Sequence, residues 1–263
     1  MKYLQGSWRR INLSSLNITL NGKRYYELID LRRSVASYFS STLTGEIAPE
    51  HFVKAILELV ENRRYGKYLD IGCNDGRITW EISTRAEVSE TWGIDIAEKA
   101  LEIAKERGIK PVYFDLNEKK KLPFPENHFD IITCLETIEH VLFPDYLIKE
   151  IYRVLKPSGY VIISTPRLDS LYVISLLILG FQPGILSTSE EYAYGAFPKE
   201  RKFRPSGHIH LFTKKAMEEM LKKNSLKIVC YRSVNLYIRG VPLRKDTQIW
   251  KASKCKTKCI SQC

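Results

Sequence analysis

Between Lys67 and Thr165 the chain keeps a rhythm that few folds can accommodate. Short apolar runs alternate with segments whose apolar residues recur at helical spacing. Lys67 to Ile71, Thr91 to Ile96, Pro111 to Phe114, Phe129 to Cys134 and Tyr160 to Thr165 read as strands. Gly76 to about Arg85, Ala97 to Arg107 and Asp145 to Leu155 read as the helices between them, the second ended by Gly108 and the third by the turn Lys156-Pro157-Ser158-Gly159. Strands and helices in alternation imply parallel strands joined by crossover helices. The expected fold is therefore α/β and doubly wound, with helices on both faces of a mostly parallel sheet.

The rhythm has edges. Upstream, Phe52, Val53, Ile56, Leu57 and Val60 place a further helix within Pro49 to Asn62, and residues 1–48 stand outside the pattern as an N-terminal extension. After Pro166 it stops for about 45 residues. It resumes with a helix at Lys214 to Asn224, a strand at Lys227 to Val234 and a last strand around Thr247 to Ala252. A connection of that length reads as a lid or binding-loop insertion, about 167–207, carrying Tyr192, Tyr194, Phe197 and a cluster of Lys and Arg. The main domain then spans 49–254, followed by a basic, cysteine-containing tail, 255–263.

At 263 residues the chain suits one domain with decorations. Its start, MKYLQGSWRRINLSS, lacks the apolar run of a secretory signal, which makes the cytoplasm the default address. The longest apolar stretch, Leu171 to Phe181, would give about 16 Å of helix, roughly half the hydrocarbon thickness of a bilayer, so no transmembrane span is expected. The formal charge of +11 invites nucleic-acid or anionic-membrane readings, although a solvated surface with a basic tail accounts for it better, since no aromatic-interleaved basic motif is present. Cys73, Cys134 and Cys230 fall in segments that read as buried or site-lining. Cys255, Cys259 and Cys263 repeat every four residues, which is not a zinc-knuckle spacing.

The chemistry concentrates in YLDIGCNDGRIT, residues 68–79. A strand ends near Asp70, glycines at 72 and 76 let the backbone approach a ligand, and a helix N-terminus follows with unpaired N–H groups. The glycine spacing is G-x-x-x-G rather than the dinucleotide G-x-G-x-x-G, and a carboxylate at Asp70 suits an ammonium group better than a pyrophosphate. Asp95 ends the second strand, where it can accept from both ribose hydroxyls. Asp115 follows the third strand, placed to accept an adenine amino group. Three carboxylates at successive strand ends converge on one crevice edge.

The pieces LDIGCNDG, GIDIAEKAL, FDLNEKKKLPFPENHFDIITCLETIEHV and LKPSGYVIISTP, in that order from Tyr68 to Pro166, resemble the class I S-adenosylmethionine-dependent methyltransferases, in the branch that includes quinone-biosynthesis O-methyltransferases. The departure is Asn74, where the family usually has glycine; asparagine tolerates positive φ. The resemblance implies a Rossmann-like sheet of seven strands with the last antiparallel, and S-adenosylmethionine as methyl donor. It implies cofactor contacts from Asp70, Gly72, Cys73, Asn74, Gly76, Asp95, Ile96, Asp115, Leu116 and Leu135.

In LETIEHV, residues 135–141, Glu136, Glu139 and His140 lie at i, i+3 and i+4 and would share one face of a helix. Two carboxylates and an imidazole so placed can bind a divalent ion, act as general acid and base, or simply pack. SGHIHLFT later returns His208 and His210. The quinone O-methyltransferases, and enzymes that methylate the terminal ribose of small RNAs, carry a similar E-x-x-E-H with a later histidine that together hold a metal. The resemblance thus implies Glu136, Glu139, His140 and His208 as metal ligands; His140 and Glu139 are read, from their chemistry, as the residues assisting proton removal. The expected acceptor is small or lipid-like, favoured by the apolar stretch, or RNA, favoured by charge. A non-catalytic cofactor-binding module and a nicotinamide oxidoreductase are the alternatives from other classes. The oligomeric state is left open.

Overall fold

A computed structural model describes residues 50–61, 64–186, 207–238 and 241–254, with the short pieces 19–20, 23–24, 189, 192 and 194–196. Most of the N-terminal extension, Phe197 with the neighbouring Lys and Arg residues, and Cys255, Cys259 and Cys263 lie outside the described residues. Of the extension, only Thr19–Leu20 paired antiparallel with Lys23–Arg24 is described.

One sheet organises the domain. Its strands are β1 (Tyr65–Ile71), β2 (Val88–Asp95), β3 (Lys110–Tyr113), β4 (Phe129–Leu135), β5 (Leu155–Pro166), β6 (Leu226–Ile238) and β7 (Val241–Lys254), in the spatial order β3-β2-β1-β4-β5-β7-β6. The pairs β1–β2, β2–β3, β1–β4 and β4–β5 are parallel. β7 is antiparallel to both β5 and β6. β7 directly follows β6 and slots between it and β5, so it alone runs against the rest. The seven-stranded, mostly parallel sheet with the last strand antiparallel matches the expectation.

Period-two alternation sends neighbouring side chains to opposite faces. Leu69, Ile132, Ile163 and Trp250 enter one core with the buried sides of α4 (Pro144–Val154) and α6 (Lys214–Lys223). Tyr68, Ile131, Ile162 and Ile249 enter the other with α1 (Glu50–Leu57) and α2 (Arg77–Arg85). α3 (Glu98–Glu106) buries Ala100, Leu101 and Ala104. The insertion contains α5 (Leu171–Ile178), capped by the Ser170 side chain, which accepts from Val173 N at 3.2 Å.

One local expectation changes. The turn at 156–159 is an excursion inside a single strand, with the register against β4 shifting between Phe129 and Ile131. Gly159 allows it, since a Cβ there would stand 2.8 Å from Asp130 O. Lys156 Nζ fastens the excursion to both carboxylate oxygens of Asp130, at 2.9 and 2.8 Å. Among the described residues no helix is long and apolar enough to cross a membrane.

Candidate active site

The strand order reverses direction between β1 and β4, and in doubly wound sheets ligands bind outside the carboxyl ends of the strands at that switch. Here those ends carry Asp70 (β1), Asp95 (β2), Asp115 just past β3, and Leu135 with Glu136 at β4. The turn after β1 is hooked to the neighbouring strand by Gly72 N and Cys73 N, which both donate to Ile94 O at 2.8 and 3.0 Å. Gly72, Asn74 and Gly76 all have positive φ, so asparagine does occupy the left-handed region.

The glycines are needed for a reason other than ligand approach. A Cβ on Gly72 would lie 2.2 Å from Thr137 Oγ1, and one on Gly76 would lie 2.3 Å from Ile109 Cδ1 and 3.0 Å from Ala104 Cβ. The cofactor turn is thus packed onto the turn after β4 and onto α3. Thr137 mediates the first contact and also donates to Leu135 O at 2.9 Å. Its place inside LETIEHV was the available signal, overshadowed there by the charged residues.

Each of the three aspartates is anchored. Asp70, 4% exposed, accepts from Thr133 Oγ1 and Thr79 Oγ1, each at 2.5 Å, and Tyr68 OH lies 2.6 Å from Thr133 Oγ1. Burial pushes its carboxyl up to about 6, against the two hydroxyls, and the charge of Asp95 adds to the rise. Asp70 therefore braces β1, β4 and α2 together, and the ammonium contact read from the sequence would fall to its remaining lone pairs. Asp95 accepts from Asn74 N through Oδ2 and from Ala97 N through Oδ1, both at 2.9 Å. Burial raises its pKa and these backbone bonds oppose the rise. Asp115 caps a short 3-10 turn, Leu116–Glu118, accepting from Asn117 N at 2.9 Å. Ile96, Leu116 and Leu135 are half-buried beside them, and Cys73 is buried as a free thiol.

The segment after β4 is not the helix that the spacing suggested. Glu136 takes φ 48°, and a single 3-10 turn, Ile138–His140, follows. This turns Glu139 inward, fully buried, and His140 outward. Glu136 is diverted from the cluster of possible ligands: its Oε1 accepts from Ser164 Oγ at 2.7 Å while its own N donates to Ser164 O at 3.1 Å. Burial raises its carboxyl to about 7.

Glu139, His140 and His208 do converge, one ligand atom from each lying within 4.8 Å of the others. Tetrahedral ligands around a zinc-sized ion sit about 3.3 Å apart, a gap that side-chain adjustment covers. Neither Glu139 oxygen has a hydrogen-bond partner among the described residues. Burial first, then the charge of Glu136, drives its carboxyl well above the usual range, while the nearby Thr165 hydroxyl works against the rise. His140 is exposed by surface area, yet enough protein crowds its ring to lower its pKa. His208 is lowered to about 4, by burial and then by His140, whose ring centroid is 4.9 Å away. His140 Nδ1 lies 3.1 Å from Gly207 O and His208 Nδ1 3.0 Å from Ile185 O. With a hydrogen on each Nδ1, these carbonyls leave both Nε2 lone pairs free, the arrangement that metal-ligating histidines use. His210 is not in the cluster; its backbone N donates to Glu139 O at 3.0 Å. No sequence signal marks the carbonyls of Gly207 and Ile185.

A sheet of this order, with acidic residues at the ends of its first strands and a glycine turn leading into α2, has the arrangement expected of the class I methyltransferase fold. Residues 45–231 match the family described as "Methyltransferase domain", and the chain belongs to that family. It is 32% identical over 147 residues to the "Ubiquinone biosynthesis O-methyltransferase" of Proteus mirabilis, covering 52% of this chain and 58% of that one. It is 27% identical over 190 residues to the protein of the same name from Idiomarina loihiensis, covering 67% and 73% respectively. The chain thus spans somewhat over half the length of the first of these relatives. The fold is shared with an S-adenosylmethionine-dependent methyltransferase from Methanosarcina mazei: TM-score 0.56, 20% identity, 76% of this chain and 97% of the other.

Proposed function

We propose that the chain methylates a hydroxyl oxygen of a small, lipid-like, quinone-type acceptor, and that Glu139, His140 and His208 hold a divalent cation which positions that oxygen. The observation that carries the reading is the fully buried Glu139 carboxylate, without a hydrogen-bond partner among the described residues, close to two imidazoles with lone pairs to spare. A buried carboxylate without a partner costs several kcal/mol, and a cation at this position offsets that cost. The names of the relatives support the acceptor class. So does the insertion, where Leu171, Leu177, Ile178 and Leu179 are exposed, a surface that suits an apolar molecule better than RNA.

S-adenosylmethionine, when bound, supplies a methyl group on a sulfonium, an electrophile open to in-line attack. Asp95 is placed to accept from the two ribose hydroxyls and Asp115 to face the adenine amino group, while Ile96, Leu116 and Leu135 supply apolar walls. The C–O bond forms as the C–S bond breaks, the hydroxyl gives up its proton, and S-adenosylhomocysteine leaves. A divalent cation, when held by Glu139, His140 and His208, lowers the pKa of a nearby hydroxyl. Glu136, whose pKa burial raises to about 7 and whose Oε1 is held by Ser164, is able to take up a proton at neutral pH. Much of the rate comes from holding donor and oxygen in line.

The test is transfer of labelled methyl from S-adenosylmethionine to a prenylated catechol, with and without a strong chelator. Loss of transfer with the chelator, restored by Mg²⁺, Mn²⁺ or Zn²⁺, supports both parts. Chelator-resistant transfer removes the cation and leaves His140 as a base. An absence of transfer to catechols, with cofactor binding intact, removes the acceptor class.

A further inference from the structure

The three donor side chains come from two segments far apart in the chain, and the contacts around them join the active site to the insertion. Ile209 N and His210 N both donate to Glu139 O, at 2.8 and 3.0 Å. His140 Nδ1 reaches Gly207 O, and His208 Nδ1 reaches Ile185 O. At its base the insertion is closed by Leu168 N donating to Phe212 O at 3.1 Å and by Gln248 Nε2 donating to the same carbonyl at 3.0 Å. Further out, Gln182 Nε2 donates to Leu186 O at 2.7 Å, so Ile185 sits in a small hydrogen-bonded turn. The described helix of the insertion is thinly packed. In α5 only Val173 and Leu176 are buried, while Leu171 and Ile178 are 81% and 79% exposed. Segments with few buried apolar contacts open at low free-energy cost.

We infer that the divalent cation is the latch of the insertion: its binding by Glu139, His140 and His208 fastens residues 168–186 and 207–212 over the acceptor site. This rests on the cation reading above. A cation bound at His208 Nε2 polarises the ring, strengthens the Nδ1–H bond to Ile185 O, and so transmits its hold to the turn at 182–186. The same ion ties His208 at the end of the insertion to Glu139 behind β4. It binds the closed arrangement and not the open one, so local opening is suppressed by the factor 1 + [M]/Kd. Cofactor binding uses β1 to β3 and does not need the latch. The acceptor's coordinating oxygen, by contrast, meets a site whose cover has just closed.

The experiment is hydrogen exchange followed by mass spectrometry on the full chain with S-adenosylhomocysteine bound, with and without Zn²⁺ at about 100 times its Kd from calorimetry. Peptides within 171–186 and 207–212 should exchange roughly 10–100-fold more slowly with Zn²⁺, while those from β1 to β3 stay unchanged. His208→Ala should lose the slowing and keep cofactor affinity. His208→Asn replaces it if the alanine variant does not fold, and the wild-type comparison stands without either. Zn²⁺ binding with unchanged exchange in the insertion overturns the latch and leaves the cation site standing. Uniform slowing across all peptides overturns it as well, because the effect is then global stabilisation. Absence of Zn²⁺ binding overturns the latch and the cation site together.

Discussion

The two halves of the active site treat buried carboxylates in opposite ways. On the cofactor side, Asp70, Asp95 and Asp115 are each held by hydroxyls or backbone N–H groups of the chain itself. On the proposed acceptor side, Glu139 is more deeply buried than any of them, and neither of its oxygens has a hydrogen-bond partner among the described residues. A charge that the protein satisfies internally makes a pre-formed site, ready for a neutral or dipolar ligand. A charge left unsatisfied makes a site that is complete only when a cation arrives. On the proposed reading the contrast divides the labour: a half held by the chain's own donors for the methyl donor, and a half completed by its cation.

The sharpest way to break this contrast is to disturb the cofactor half. Gly72→Ala places a Cβ within van der Waals overlap of Thr137 at a φ of 77° and should cost about 3 kcal/mol in denaturant unfolding. Adding Thr137→Ala should recover part of that loss; a double variant no more stable than the single one would mean that the clash is not the cause. Next, Asp95→Ala should weaken S-adenosylhomocysteine by roughly 2–3 kcal/mol in calorimetry, because two charge-assisted ribose bonds vanish. Unchanged affinity would remove Asp95 from the cofactor site.

The other half is tested through pH. Glu139 and Glu136 have folded pKa values above their unfolded ones, so the native state binds more protons than the unfolded state once pH passes about 4.5. The stability of the cation-free protein should therefore fall as pH rises from there, by up to about 1.4 kcal/mol per pH unit per proton, through about 7 for Glu136 and beyond for Glu139. Asp70 adds a similar loss between its ordinary range and about 6. Glu139→Gln should flatten the slope above that point, and Zn²⁺ should flatten it in the wild type. Identical slopes for variant and wild type would show that Glu139 is not the uncompensated charge. The smallest effect is expected at Ser170→Ala. Losing this helix cap should cost about 1 kcal/mol, felt as faster exchange in α5 with cofactor affinity unchanged.

How the chain encodes these halves differs too. The alternation from Lys67 to Thr165 is read directly from side chains, because burial on both sheet faces demands apolar residues at period two and helices to cover them. Most element positions followed within a few residues, although β5 and β7 begin five and six residues earlier than read, and Asp95 and Asp115 were visible as carboxylates at strand ends. The i, i+3, i+4 spacing of Glu136, Glu139 and His140 pointed to a cluster but misjudged its geometry. A helix was the natural local conformation, yet pairing of Glu136 with Ser164 across the sheet imposes a left-handed residue and a 3-10 turn instead.

Local sequence determined the sheet, its order of secondary elements, the asparagine-tolerant cofactor turn and the chemical types available to the site. Tertiary structure alone decided that Gly72 and Gly76 are demanded by Thr137 and Ile109, that Glu136 turns away, and by what path His208, expected beside Glu139 and His140 from the resemblance, reaches them. The physical reason is range. Propensity and periodicity act over a few residues, whereas a buried charge is defined by whatever the fold brings against it, from segments as distant as 139 and 208.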